Sequence, residues 1–171
     1  TPTDVWPAGA TDLNENDPIP DAYAPISAAI LRLRMSVLDE NVTAPASSIA
    51  LRLQYAVGSA CSPSLSWLDV GAVGSTTAAW RGYDNGGVSD GATLASPLLS
   101  GSDVVETYEE ANDSALNPNS ISVNQEGEWD WAIQHNAVAG TSYCFRVVNA
   151  ASGDVLNEYD RYPVVVTNQK P

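Results

Sequence analysis

Carboxylates are the reactive groups this sequence supplies most freely, with twenty-one Asp and Glu against seven Lys and Arg in 171 residues and a formal charge of -14. Hydrolysis of a glycosidic bond needs two of them across a cleft. Glu109 with Glu110, and Glu126, Glu128 and Asp130, are the sets the chain offers for it. In a chain this acidic such pairs also arise by chance, and no second signature accompanies them. His135 is the single histidine. Without a second His or a Cys cluster it supports neither a zinc site nor a Ser-His-Asp triad, so a structural role is expected and no catalytic residue is assigned.

The binding candidates are more varied. Asp12-Leu13-Asn14-Glu15-Asn16-Asp17 sets oxygen ligands at alternate positions, as a loop wrapping calcium does, and Asp84, Asn85 and Asp90 form a second group. The first lacks the central Gly and downstream bidentate Glu of the helix-loop-helix calcium site. Calcium is thus the only cofactor raised, through Asp12, Asn14, Asp17, Asp84 and Asp90, against the plainer reading of solvated turns. Trp129 and Trp131 share a face and can form a platform for a sugar ring, but between Glu128 and Asp130 on one strand their indoles are expected in the core. Trp6 and Trp80 are freer to bind. Arg32, Arg34, Arg52 and Arg146 fall on the polar faces of predicted strands. Such a face either pairs with carboxylates of its own domain or receives an acidic segment of a neighbouring subunit. Asn41-Val42-Thr43 and Asn112-Asp113-Ser114 are glycosylation sequons in predicted loops. Cys61 and Cys144 fit one disulfide in an oxidising compartment, the alternative being two buried thiols.

The elements that must position these groups are strands. Leu31, Leu33, Met35 and Val37 alternate with Arg32, Arg34 and Ser36, and from Ile49 to Val57 the apolar positions alternate with Ala50, Arg52, Gln54 and Ala56. Tyr143, Phe145 and Val147 repeat the rhythm, as do Trp129, Trp131 and Ile133. Period-two alternation marks half-buried strands. The first two runs, joined by a polar connector from Asp39 to Ser48, are expected to pair as an antiparallel hairpin. Trp67 to Val70 and Thr76 to Trp80 read as a second hairpin, Gly82 to Gly101 as a long surface excursion, Val104 to Glu110 as a strand, Ala111 to Ser120 as loop, and Pro163 to Thr167 as a terminal strand. About nine short strands without a helix predict a single all-β domain, an antiparallel β-sandwich of immunoglobulin-like or jelly-roll-like type, over residues 30–171.

Residues 1–29 carry Pro2, Pro7, Pro18, Pro20 and Pro25 and no sustained alternation. They read as an extended arm whose anchors are Val5, Trp6, Leu13, Ile19 and Tyr23. With no signal peptide and no initiating Met, Thr1 is expected to be a mature or excised terminus. Hydrophobic residues make up 44% of the chain, enough for a core, yet no run approaches a membrane span. The negative charge disfavours nucleic acid and anionic lipid as partners.

The run Ala139-Gly140-Thr141-Ser142-Tyr143-Cys144-Phe145-Arg146-Val147-Val148-Asn149, followed by Gly153, resembles the penultimate-strand hairpin of fibronectin-type and immunoglobulin-like sandwiches. More broadly, Leu31-Arg32-Leu33-Arg34-Met35, Leu53-Gln54-Tyr55, Trp80-Arg81-Gly82-Tyr83-Asp84-Asn85, Glu128-Trp129-Asp130-Trp131, Cys144-Phe145-Arg146 and Tyr162-Pro163 resemble a β-rich domain of uncharacterised secreted or surface proteins of bacteria. That resemblance implies an extracellular location and brings no activity with it. In those domains another aromatic strand often precedes the segment matching Thr1-Pro2-Thr3-Asp4, so the resemblance also implies a sandwich short of one edge strand, which a neighbouring copy can supply.

The expectation is therefore a secreted or cell-surface structural or adhesive protein and not an enzyme: a pilus-like filament subunit whose partner is itself, assembling through its arm or through Val164, Val165 and Val166. The alternatives are a carbohydrate-binding module that engages surface glycans and, third, a secreted hydrolase.

Overall fold

The computed structural model describes Leu13, Asn16, Ile19 and residues 24–136 and 138–168. The chain is all-β, with no helix among these residues. Its strands are β1 (Ile30–Asp39), β2 (Leu51–Val57), β3 (Leu68–Asp69), β4 (Trp80–Gly82), β5 (Ala92–Thr93), β6 (Val104–Glu109), β7 (Gln125–His135), β8 (Ser142–Asn149) and β9 (Val164–Val166). One sheet runs β1-β7-β6-β5 with β4 also on β7; the other runs β3-β2-β8-β9. The alternation explains why they face each other. Leu33 sits opposite Trp131 and Met35 opposite Trp129 in the first sheet, while Leu53 sits opposite Val147 and Tyr55 opposite Phe145 in the second. These faces share one core, in which Trp80 meets Phe145 edge-on at a centroid distance of 5.2 Å.

Neither expected hairpin forms. β1 pairs with β7 and β2 with β8, in opposite sheets. Periodicity determines which face of a strand is apolar but is silent about its partner, and a ten-residue connector spans the ~10 Å between stacked sheets as easily as it closes a hairpin. Likewise β3 pairs with β2 and β4 with β7, leaving only a parallel bridge between Gly71 and Arg81. The expected antiparallel pairing also fails once, because β6 runs parallel to β7. Parallel neighbours need a long crossover. Residues 110–124 provide it, crossing to the other sheet, where Ser114 and Asn117 donate backbone hydrogen bonds to Leu51 and Ile49.

The stretch from Gly82 to Gly101 does not project from the molecule. It folds back over the outer face of the first sheet, where Leu94, Tyr108 and Ala132 form a second small core with Tyr83, Val88 and Val105. The disulfide Cys61–Cys144, with Cα atoms 5.7 Å apart, ties the loop after β2 to β8 of the same sheet.

Candidate assembly surface

The side of the molecule bounded by β1 and β9 differs from the opposite side. There β2 is covered by β3 and by the crossover, but among the described residues β7 is the only strand pairing with β1 and β8 the only one pairing with β9. The amide of Asn168 donates to the carbonyl of Pro25, which places the end of β9 beside the approach to β1. Leu31, Leu33, Met35 and Val37 all pack against the core yet remain partly exposed, as does Leu156. Val164 and Val166 are exposed on either side of buried Val165. A ten-residue strand that pairs on one side only among the described residues, beside half-buried apolar side chains, is what an added extended segment needs.

Ile19 packs against the core of its own chain, whereas Leu13 is exposed. Val5, Trp6 and Tyr23 lie outside the described residues, as do Asp12, Asn14 and Asp17. The terminal strand is docked in its own chain, with Val166 opposite Ser142 and the Thr167 hydroxyl donating to the Val138 carbonyl.

The carboxylates that a hydrolase would have drawn on are committed to architecture. Asp130 receives Arg32 Nε at 2.5 Å and Arg34 Nη2 at 2.5 Å, and Glu128 lies 2.9 Å from Arg34 Nη1. Glu128 also accepts the backbone N–H groups of Leu98 and Leu99, pinning the excursion to the sheet. The arginine pair is therefore covered rather than displayed. On the other sheet Arg52 pairs with Asp113, which holds the guanidinium above its ordinary pKa, and lies near Asp69. Glu126 accepts the Ser36 hydroxyl. Glu109 accepts the amide of Ala115, and Glu106 that of Asn119; burial pushes Glu109 up to about 8 and Glu106 up to about 7. Glu110 accepts from Asn85 and from the Tyr108 hydroxyl.

The other candidates are likewise placed. Asp84 caps the amide of Gly86, and Asp90 caps that of Glu110; among the described residues no group of three or more His, Cys, Asp or Glu is arranged to hold a metal ion. Trp80, Trp129 and Trp131 are fully buried, so a sugar platform at the paired tryptophans is absent, and Trp80 is not free to bind either. His135 packs edge-on against Trp80, and burial lowers its pKa. Asn41 sits in an exposed loop. Asn112 instead accepts from the Leu53 amide and donates to the Leu53 and Val70 carbonyls, so its side chain is tied down.

Sequence reasoning missed Asn117, which is fully buried. Its Oδ1 accepts from Ser48 and Ile49, and its Nδ2 donates to Pro45 and Asn119. It also missed an aromatic stack on the outer face of β8: Trp67 lies over Tyr162 at 5.7 Å, Tyr162 over Tyr159 at 5.0 Å, and Arg146 Cζ 4.3 Å from the Trp67 centroid. In a sequence these rings are scattered over loops, with no period to connect them.

Fold and surface together define a disulfide-bonded, two-sheet all-β domain that spends its polar groups on its own architecture, with β1 and β9 as edge strands among the described residues. No family model, curated protein or solved structure matches the chain.

Proposed function

We propose that this is an extracellular structural module whose open β1/β9 side receives an extended segment from a neighbouring copy, building a pilus-like filament or array. The observation that carries the reading is β1: a ten-residue edge strand, Ile30–Asp39, whose core-facing row stays partly exposed along its length. Sheet edges left in this state are managed by pairing or covering. The arm that precedes β1 is the segment at hand, and Ile19 already packs on the core. Exchange between copies swaps such a contact from within the chain to between chains at little cost, and a head-to-tail arrangement that does not close generates a filament. The disulfide and the absence of a long apolar helix among the described residues fit a secreted or surface location. An immunoglobulin-like or jelly-roll-like type belongs to the same reading, supported by two facing sheets between which the chain passes after β1, after β3 and after β7.

The test is electron microscopy of the native protein beside a variant lacking residues 1–25. Filaments or arrays that vanish with the deletion are expected. Monodisperse particles in both samples would sink the proposal.

A further inference from the structure

The four strand arginines do not share one fate. Arg32, Arg34 and Arg52 each grip a carboxylate of their own chain. Arg146 pairs with none among the described residues. Its Nε donates to Gln54 Oε1 at 2.9 Å, its Nη1 is buried without a hydrogen-bond partner, and the residue is only 8% exposed. Taking a guanidinium this far from water without a counter-charge is costly. Trp67 offsets part of that cost through its π face, and Tyr162 and Tyr159 continue the stack. Gln54 in turn donates its Nε2–H to Asp69 Oδ1 at 2.8 Å, so the nearest carboxylate on this path touches Gln54 and leaves Arg146 Nη1 without an acceptor. The rings that cover it belong to loops and are half-buried, and the Trp67 indole is held by an Nε1–H bond to the Ser62 carbonyl at 3.2 Å. Access to the guanidinium therefore requires that ring to be displaced.

The complementary charge is in the arm. Residues 1–31 contain Asp4, Asp12, Glu15, Asp17 and Asp21 and neither Lys nor Arg, with three of these acids between Asp12 and Asp17. Tyr162 lies two residues before β9 and Trp67 directly before β3 at the other edge, so the aromatic patch spans the outer face of this sheet and its Tyr162 end adjoins the open side. We infer that Arg146, beneath Trp67 and beside Tyr162, receives a carboxylate from the Asp12–Asp17 run of a second copy's arm. This rests on the arm-exchange reading and gives it a polar anchor next to the apolar seam. Association is then weakened by salt, as for any contact carried by a charge pair.

Complementation between two full-length variants tests this. Arg146→Gln keeps the arm and loses the receptor, while the triple variant Asp12→Asn, Glu15→Gln, Asp17→Asn keeps the receptor and neutralises the arm. At low salt, light scattering should show the wild type assembling and each variant alone associating about tenfold or more weakly. Mixing the two should give dimers, because the acidic arm of the first reaches the intact Arg146 of the second, and Arg146→Lys should keep most of the association. If Arg146→Gln loses its cooperative thermal transition, the arm variant, whose own thermal transition is followed beside the wild type's, decides the matter. Wild-type assembly with unchanged association in either variant overturns the anchor and leaves arm exchange standing. A wild type that stays monomeric overturns both. Quenching of tryptophan emission by glucuronate in the arm variant, with no dimer on mixing, assigns the pocket to acidic sugars and overturns the proposal as well.

Discussion

Glu106 and Glu109 show how burial redirects a carboxyl from chemistry to stability. Both are fully buried on β6, and no arginine among the described residues lies within ion-pair distance of either. Burial holds their pKa values near 7 and near 8. For Glu109 the neighbouring Asp90 adds to the effect, while Thr107 and the Ala115 amide oppose it. Below the ordinary carboxyl range of about 4.5 the native and unfolded chains are equally protonated at these sites. Between there and about 8 the native protein holds protons that the unfolded chain has released, so stability falls as pH rises through this window and levels off above it. Burial of Asp103 raises its pKa and acts in the same direction; His135, lowered by burial, acts in the opposite one as pH rises toward 6.5. Urea unfolding followed across the window should show the decline, and Glu109→Gln should flatten its upper part; a slope unchanged by that substitution would refute the assignment. Asp130 is the converse case, a buried carboxylate held by two arginines. Asp130→Asn leaves both underpaired and should cost about 3–5 kcal/mol, read by the same titration.

Among the elements, the crossover of residues 110–124 carries more of the architecture than any short strand. It lets β6 run parallel to β7, and it lines the edge of β2 with hydrogen bonds from Ser114 and Asn117. Asn117→Ala removes all four side-chain hydrogen bonds of a fully buried residue and leaves the amides of Ser48 and Ile49 without their acceptor, a loss of about 1–3 kcal/mol, measurable by chemical denaturation. Gly82 is constrained in a different way. A methyl group there would overlap the carbonyl of Glu110, so Gly82→Ala must push the crossover away from β4 and should destabilise by an amount comparable to overpacking, about 1–3 kcal/mol. Little of this was legible in the sequence. The long alternating runs gave away β1, β2, β7 and β8, because half-burial imposes a period on side chains. The crossover has no period, since it is held by side chains such as Asn112 and Asn117 that bond the backbone of neighbouring segments and that a sequence presents only as polar loop residues.

At the scale of the whole molecule, the alternation specified inward faces for all four long strands but left their pairing open, because any two such strands can share either a sheet or a core. The small core under the surface excursion from Gly82 to Gly101 is hidden in the sequence for a related reason: Leu94 and Val88 are isolated apolar residues in a Gly- and Ser-rich stretch, and only Tyr108 and Ala132 beneath them turn them into a core. The cysteine pair was legible from number and class alone, and its placement shows what it stabilises. It closes 83 residues of chain, for which the chain-entropy account gives about 4–5 kcal/mol, yet both ends belong to one sheet and the bond crosses no interface between layers. Its local effect falls on the loop that carries Trp67 over Arg146. The double substitution Cys61→Ser, Cys144→Ala should therefore act twice. Global unfolding should become easier by about 2–5 kcal/mol, and the half-buried Trp67 should become solvated under conditions where the buried tryptophans still report a folded core. Fluorescence and far-ultraviolet circular dichroism during a denaturant titration separate the two transitions. If they coincide in the variant, the loop is held by its aromatic stack rather than by the disulfide, and the covalent bond serves global stability alone.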